Sequence, residues 1–318
     1  MVKAVWREMS DLLKQKKYMI PLLVTAIFSY GFMVVNPTIG IDDTASERFF
    51  QDGLEPYMGR WTLFLLNKVF RLAEFAPLIT ELIGVIFLIL SVTLWCVAFK
   101  RSQSSKLPLW GYTFFSCIFL SAPILSEICT YYTHNGICMA YGLAGLGAIS
   151  FAEGMKKDRN KRWRYTVISA LWATIAAGCY ESMVIVYIIG IIMIYLLLCK
   201  EDEGKKYDRG LWGWVIRGVI AMVILLTVRT LIVESIKILF SLEENILVLD
   251  TRGLSEMLQW VDGSRGAGEF GMVVKRYILK YYINALAYFP ITMFVIAAVV
   301  LMLYCMVQAL RHKRIIFP

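Results

Sequence analysis

Long unbroken apolar runs alternate with short charged connections along this chain. The runs are continuous rather than alternating, so they predict helices and exclude a barrel of period-two strands. Several reach the roughly 18–20 residues needed to cross a hydrocarbon core. The pattern predicts eight spans: Tyr18–Val35, Pro77–Phe99, Leu109–Ser126, Cys129–Gly154, Tyr165–Gly178, Met183–Cys199, Leu211–Val233 and Ile283–Val307. Two further stretches are amphipathic. Met1–Lys17 carries Lys3, Arg7, Lys14, Lys16 and Lys17 and reads as a helix lying on the inner membrane surface. In Arg60–Ala76, Asn67, Lys68, Arg71 and Glu74 recur at three- and four-residue spacing, which predicts an in-plane interfacial helix on the outer surface. The expected fold is therefore an all-α integral membrane protein, one polytopic domain over 1–318. It has about eight transmembrane helices, and interfacial helices in two outer loops, 36–76 and 234–282.

Composition agrees. Of 318 residues, 58% are hydrophobic, and the mean hydropathy is +0.63, outside the range of soluble domains. The net charge of +9 does not point to nucleic acid, because the basic residues lie in the short connections. In the predicted layout 22 of the 33 Lys and Arg fall on one side, which places both termini in the cytoplasm by the positive-inside rule. No cleavable signal peptide is expected, since the first run is long for a signal core and lacks a small-x-small site. The seven cysteines lie in or at the edge of apolar runs without CxxC spacing, so they read as packing residues and no structural metal site is expected.

The chemistry concentrates on one side. The ionisable residues in or near spans are Glu81, Glu127, His134, Glu181 and Arg229, and all fall near the outer surface, with no acid in the inner half of a span. Charges in such places need a watery cavity and partners. For Arg229 the candidates are Glu81, Glu181 or a bound phosphate. The first outer loop, NPTIGIDDTASERFFQDGLEPYMGRW, opens with Asp42 and Asp43, continues through Arg48 and closes on Gly59-Arg60-Trp61. Asp42 could cap a short helix over Thr44–Gln51; Asp43 is the better base. Arg60 could anchor the interfacial helix or bind phosphate, and Trp61 reads as a membrane-belt residue. Arg48, Arg60 and Arg229 are the candidate phosphate ligands, because a guanidinium presents a bidentate fork. Glu81, Glu127, His134, Tyr180 and Glu181 are candidates for the pocket wall. No cofactor is required by these patterns, although Asp42, Asp43 and Glu81 could form an oxygen site for a divalent metal.

A first span followed by IDDTASERF, then GRW, with YES at a later outer turn, resembles the bacterial glucosyltransferases of the GtrII type, within the membrane transferases called GT-C. The resemblance runs from the first span to about the eighth. It implies transfer of glucose from undecaprenyl phosphate to a cell-surface polysaccharide such as O-antigen, on the outer face of a bacterial plasma membrane. An acid of the first external loop, here Asp43 or Asp42, would act as base, with inversion at the sugar. It also leads one to expect a neutral amide where Glu181 stands. The rivals from other classes are a transporter or flippase of a polyprenyl-linked sugar, which would need polar groups along a path through the bilayer, and a non-catalytic membrane subunit.

Overall fold

The computed structural model describes residues 1–36, 59–70, 77–102, 107–129, 134–156, 159–199, 208–239 and 271–272. Backbone contacts divide the chain into two compact units, Met1–Ile246 and Leu247–Pro318, and the helices below belong to the first. The described residues hold no strand. Their helices are α1 Val2–Leu13, α2 Lys16–Val35, α3 Trp61–Phe70, α4 Pro77–Ser102, α5 Leu109–Leu120, α6 Pro123–Ile128, α7 His134–Met155, α8 Arg159–Ala177, α9 Met183–Cys199 and α10 Asp208–Leu239.

Helix α7 is the axis, packed against α3, α4, α8 and α9. Its sequence explains this position. Gly136, Ala140, Gly142, Ala144, Gly147, Ala148 and Ala152 are all buried, so neighbouring backbones approach closely. In an apolar environment such close packing and interhelical hydrogen bonds, rather than water exclusion, hold helices together. Ser91 of α4 donates to the Cys138 carbonyl at 2.7 Å, and Trp95 donates to that of Tyr141 at 3.0 Å. On the other side Ser169 of α8 donates to the Gly147 carbonyl at 2.7 Å and meets the Tyr187 hydroxyl of α9 at 2.6 Å.

Among the described residues, four helices are long and apolar enough to cross a membrane: Lys16–Val35, Leu78–Ser102, His134–Met155 and Trp212–Ile236. Leu109–Leu120 and Met183–Tyr195 are apolar but shorter. Exposed Ile20, Ile27, Phe28 and Phe32 on α2, and Trp212, Val215, Val219 and Val223 on α10, form apolar faces of the kind that lipid covers. This is an all-α membrane architecture. The expected eighth span, Ile283–Val307, lies outside the described residues, as does most of the second outer loop.

Three expectations change. The third span, Leu109–Ser126, is two helices, α5 and α6, separated at Ser121-Ala122. Pro123 has no N–H to continue the ladder and suits the first position of a new helix. The Leu120 carbonyl at the end of α5 instead accepts the Tyr30 hydroxyl at 2.5 Å. Helix α1 does not keep its apolar face for lipid: Val5, Met9 and Leu12 are buried in the bundle core. The inner half of the spans is not free of acids either. Glu153, next to last in the expected fourth span, lies 3.2 Å from Arg101 and 3.7 Å from Lys156. Arg101 also takes both carboxylate oxygens of Glu8, at 2.9 and 3.0 Å, which ties α1 to the bundle.

Candidate active site

The opposite end of the bundle carries the candidate chemistry. Arg101 and Glu81 are twenty residues apart on α4, about 30 Å at the helical rise. At this end the start of α3 meets the turn between α8 and α9. The first N–H groups of a helix and the last C=O groups lack internal partners. Here they satisfy each other across two helices. The Thr62 and Leu63 amides donate to the Gly178 carbonyl at 2.9 and 3.4 Å, and the Thr62 hydroxyl donates to the Ile175 carbonyl at 2.9 Å. The close approach requires glycine at 178: a Cβ there would strike the Thr62 hydroxyl and lie 2.5 Å from Trp61 Nε1.

Trp61 is therefore not a membrane-belt residue. It is 8% exposed and packs with Phe64 against Val233 and Ile236 of α10. The predicted interfacial helix is docked into the bundle by its first turn, where Trp61, Thr62, Leu63 and Phe64 are all buried. Its end is Phe70; residues 71–76 lie outside the described residues.

Docking α3 brings Arg60 to the α8–α9 turn. Arg60 Nε lies 3.7 Å from Glu181 Oε1, and its guanidinium sits 4.9 Å from the centre of the Tyr180 ring. Arg229 of α10 reaches the same oxygen, with Nη2 at 4.0 Å. Glu181 is thus the partner among the candidates, and Glu81 is not. Arg229 gets there across Gly59, whose φ of +77° is a left-handed conformation and whose missing side chain leaves room for the guanidinium. Each guanidinium has five N–H donors, and the Nε of both is buried without a hydrogen-bond partner. Among the described residues, two cations and one carboxylate leave a net positive site with donor capacity in reserve.

Glu81 belongs to a second pair. Its Oε2 lies 3.2 Å from His134 Nε2, and both residues are buried. The pair stands beside the first group, with α3 between: Leu63 packs on Gly136 of α7 while Thr62 holds Gly178. Next to His134, the Asn135 side chain is buried, and neither its oxygen nor its nitrogen has a hydrogen-bond partner. Such a group is costly in a closed core.

Six of the residues singled out from sequence thus stand at this end in two groups: Arg60, Tyr180, Glu181 and Arg229 in one, with Glu81 and His134 paired in the other. Asp42, Asp43 and Arg48 lie outside the described residues, and so does the side chain of Glu127, whose backbone is in α6. Among the described residues no three His, Cys, Asp or Glu side chains gather as a metal site. Asn135, Thr62, Gly59 and Gly178 were missed. A glycine directly before Arg60, and a His-Asn pair opening an apolar helix, were the available signals.

No curated protein and no solved structure matches the chain. A family model described as Glucosyl transferase GtrII matches residues 31–317, from within α2 almost to the last residue. With nine-tenths of its length inside that match, the chain belongs to the GtrII glucosyltransferase family.

Proposed function

We propose that this protein transfers glucose from a polyprenyl-phosphate donor to a cell-surface glycan on the outer face of a bacterial plasma membrane, by a GT-C-type single displacement with inversion. The observation that carries the donor assignment is the convergence of Arg60 and Arg229 on one carboxylate, at the bundle end opposite the Arg101 ion-pair cluster. A phosphate held there would replace that carboxylate with an anion offering more acceptor oxygens.

In this reading an acceptor hydroxyl attacks the anomeric carbon. The bond from that carbon to the phosphate oxygen breaks, and its electron pair stays on the phosphate. Arg60 and Arg229, with Arg48 from the first loop, stabilise the charge that develops on it. The acceptor proton passes to Asp43, with Asp42 orienting or capping. Glu81, His134, Glu127 and Tyr180 line the sugar pocket. No step calls on a metal.

The test is incubation of purified protein with polyprenyl-phosphate-glucose and candidate surface glycans. The expected product is a glycan heavier by one hexose, with inverted configuration. Movement of the sugar across a vesicle membrane without a new glycosidic bond would instead establish a transporter.

A further inference from the structure

We infer that Glu181 is an internal counter-anion: it holds the arginine pair while the site is empty and competes the spent lipid phosphate off that pair after transfer. The inference rests on the reading of Arg60 and Arg229 as donor-phosphate ligands.

The geometry has the features of an exchangeable partner rather than a fixed one. Both guanidiniums address the same oxygen, Oε1, at 3.7 and 4.0 Å, longer than a good charge-assisted hydrogen bond. The Glu181 side chain is 42% exposed, whereas each arginine is 22% exposed. The carboxylate can therefore swing away while the arginines stay. They are fixed independently of it, Arg60 by the Tyr180 ring and by the docked start of α3, Arg229 by its course across Gly59. The inner-end cluster shows the contrast. There Arg101 grips Glu8 through two bonds of 2.9 and 3.0 Å.

The chemistry makes such a competitor useful. The donor is a phosphodiester with a single negative charge. Breaking the bond to the sugar leaves a monoester, which carries about −1.5 to −2 at neutral pH. Two arginines hold that product more tightly than they hold the donor. A carboxylate waiting beside them weakens both complexes, but it restores a partly neutralised resting site once the product leaves. It sets the exit of the lipid phosphate as much as the entry of the donor. Glu181 is thus a positioning residue acting through the arginines.

The experiment uses the purified full chain in lipid nanodiscs, with undecaprenyl phosphate as the probe. Binding is measured directly, and inhibition of glucose transfer by added probe is measured separately. Glu181→Gln is expected to bind the probe roughly tenfold more tightly, as two loose ion pairs no longer compete, and to be inhibited at a correspondingly lower concentration. Glu181→Asp, with a shorter reach, falls between it and the wild type. A merely structural role for Glu181 would weaken binding together with thermal stability. Equal or weaker binding by Glu181→Gln, with normal binding by the wild type, overturns the inference and leaves the phosphate site standing. If the wild type does not bind the probe, and Arg60→Gln and Arg229→Gln transfer glucose normally, the phosphate reading itself fails and takes the inference with it. Should Glu181→Gln not fold, Glu181→Asp decides: tighter binding than wild type supports the inference, and equal or weaker binding overturns it.

Discussion

The Thr62 amide donates to the Gly178 carbonyl at 2.9 Å, so the open start of one helix is closed by the open end of another. This contact fixes where Arg60 stands, because Arg60 lies two residues before Thr62 and Glu181 three residues after Gly178. Gly178→Ala places a methyl group against the Thr62 hydroxyl and the Trp61 ring. We expect a loss of about 1–3 kcal/mol from overpacking. Glucose transfer should fall at least tenfold as α3 is pushed off the turn. Thermal unfolding and initial rates in membranes check both effects.

Gly59→Ala tests the route taken by Arg229. A side chain there costs roughly 1–2 kcal/mol for the left-handed backbone alone and collides with the guanidinium, whose Cζ would lie 2.7 Å from the new carbon. The expected result is weaker donor binding, seen as a raised KM for polyprenyl-phosphate-glucose. A normal KM would mean that Arg229 does not reach the donor from this position.

Asp43→Asn tests the base. Loss of a positioned base typically costs about 10²–10⁴ in rate. The transfer rate should fall by that factor with donor affinity kept, and Asp42→Asn should cost less. Near-normal turnover of a folded Asp43→Asn protein assigns the proton transfer elsewhere.

Arg101→Ala tests the opposite end of the bundle. It leaves Glu8 and Glu153 without the cation they share, with Lys156 still beside Glu153. Because these groups are partly exposed, the expected loss is modest, about 1–2 kcal/mol. Limited proteolysis should then cut within Met1–Lys17 faster than in the wild type. An unchanged cleavage rate would show that the apolar seating of Val5, Met9 and Leu12 is enough to hold α1.

Cys179 lies in the turn beside Glu181, yet it is buried, and burial alone pushes its thiol up to about 12. Only the thiolate reacts, so the buried thiol is almost wholly in its unreactive form at pH 8. Maleimide should label Cys179 far more slowly in the native protein than after denaturation, and the native rate should climb with pH well past the ordinary thiol range. Fast labelling of native protein at pH 8 would contradict the packing of Gly178 and Cys179 under α3.

Much of the fold was legible because membrane helices are encoded locally. An apolar run of sufficient length has few alternatives in lipid, and the bounds of α9, Met183–Cys199, coincide with the run read from sequence. The break at Pro123 was equally local and was passed over, because hydropathy stayed high through it. The family was legible from IDDTASERF and GRW, and the match over residues 31–317 bears it out.

Pairing was different. That charged residues stand at both ends of the bundle follows from the sequence, since each lies at a countable distance from the end of its helix. Which of them meet does not. Arg229 lies 48 residues from Glu181 and 148 from Glu81, and nothing in either spacing prefers one acid. The tertiary structure chose Glu181, by docking α3 on Gly178 and letting Arg229 cross Gly59, and it gave Glu81 to His134. Trp61 turned inward for the same reason: burial is decided by the helices that arrive beside a residue, here α8 and α10. Composition determined the medium this chain lives in; only packing decided which charges face one another within it.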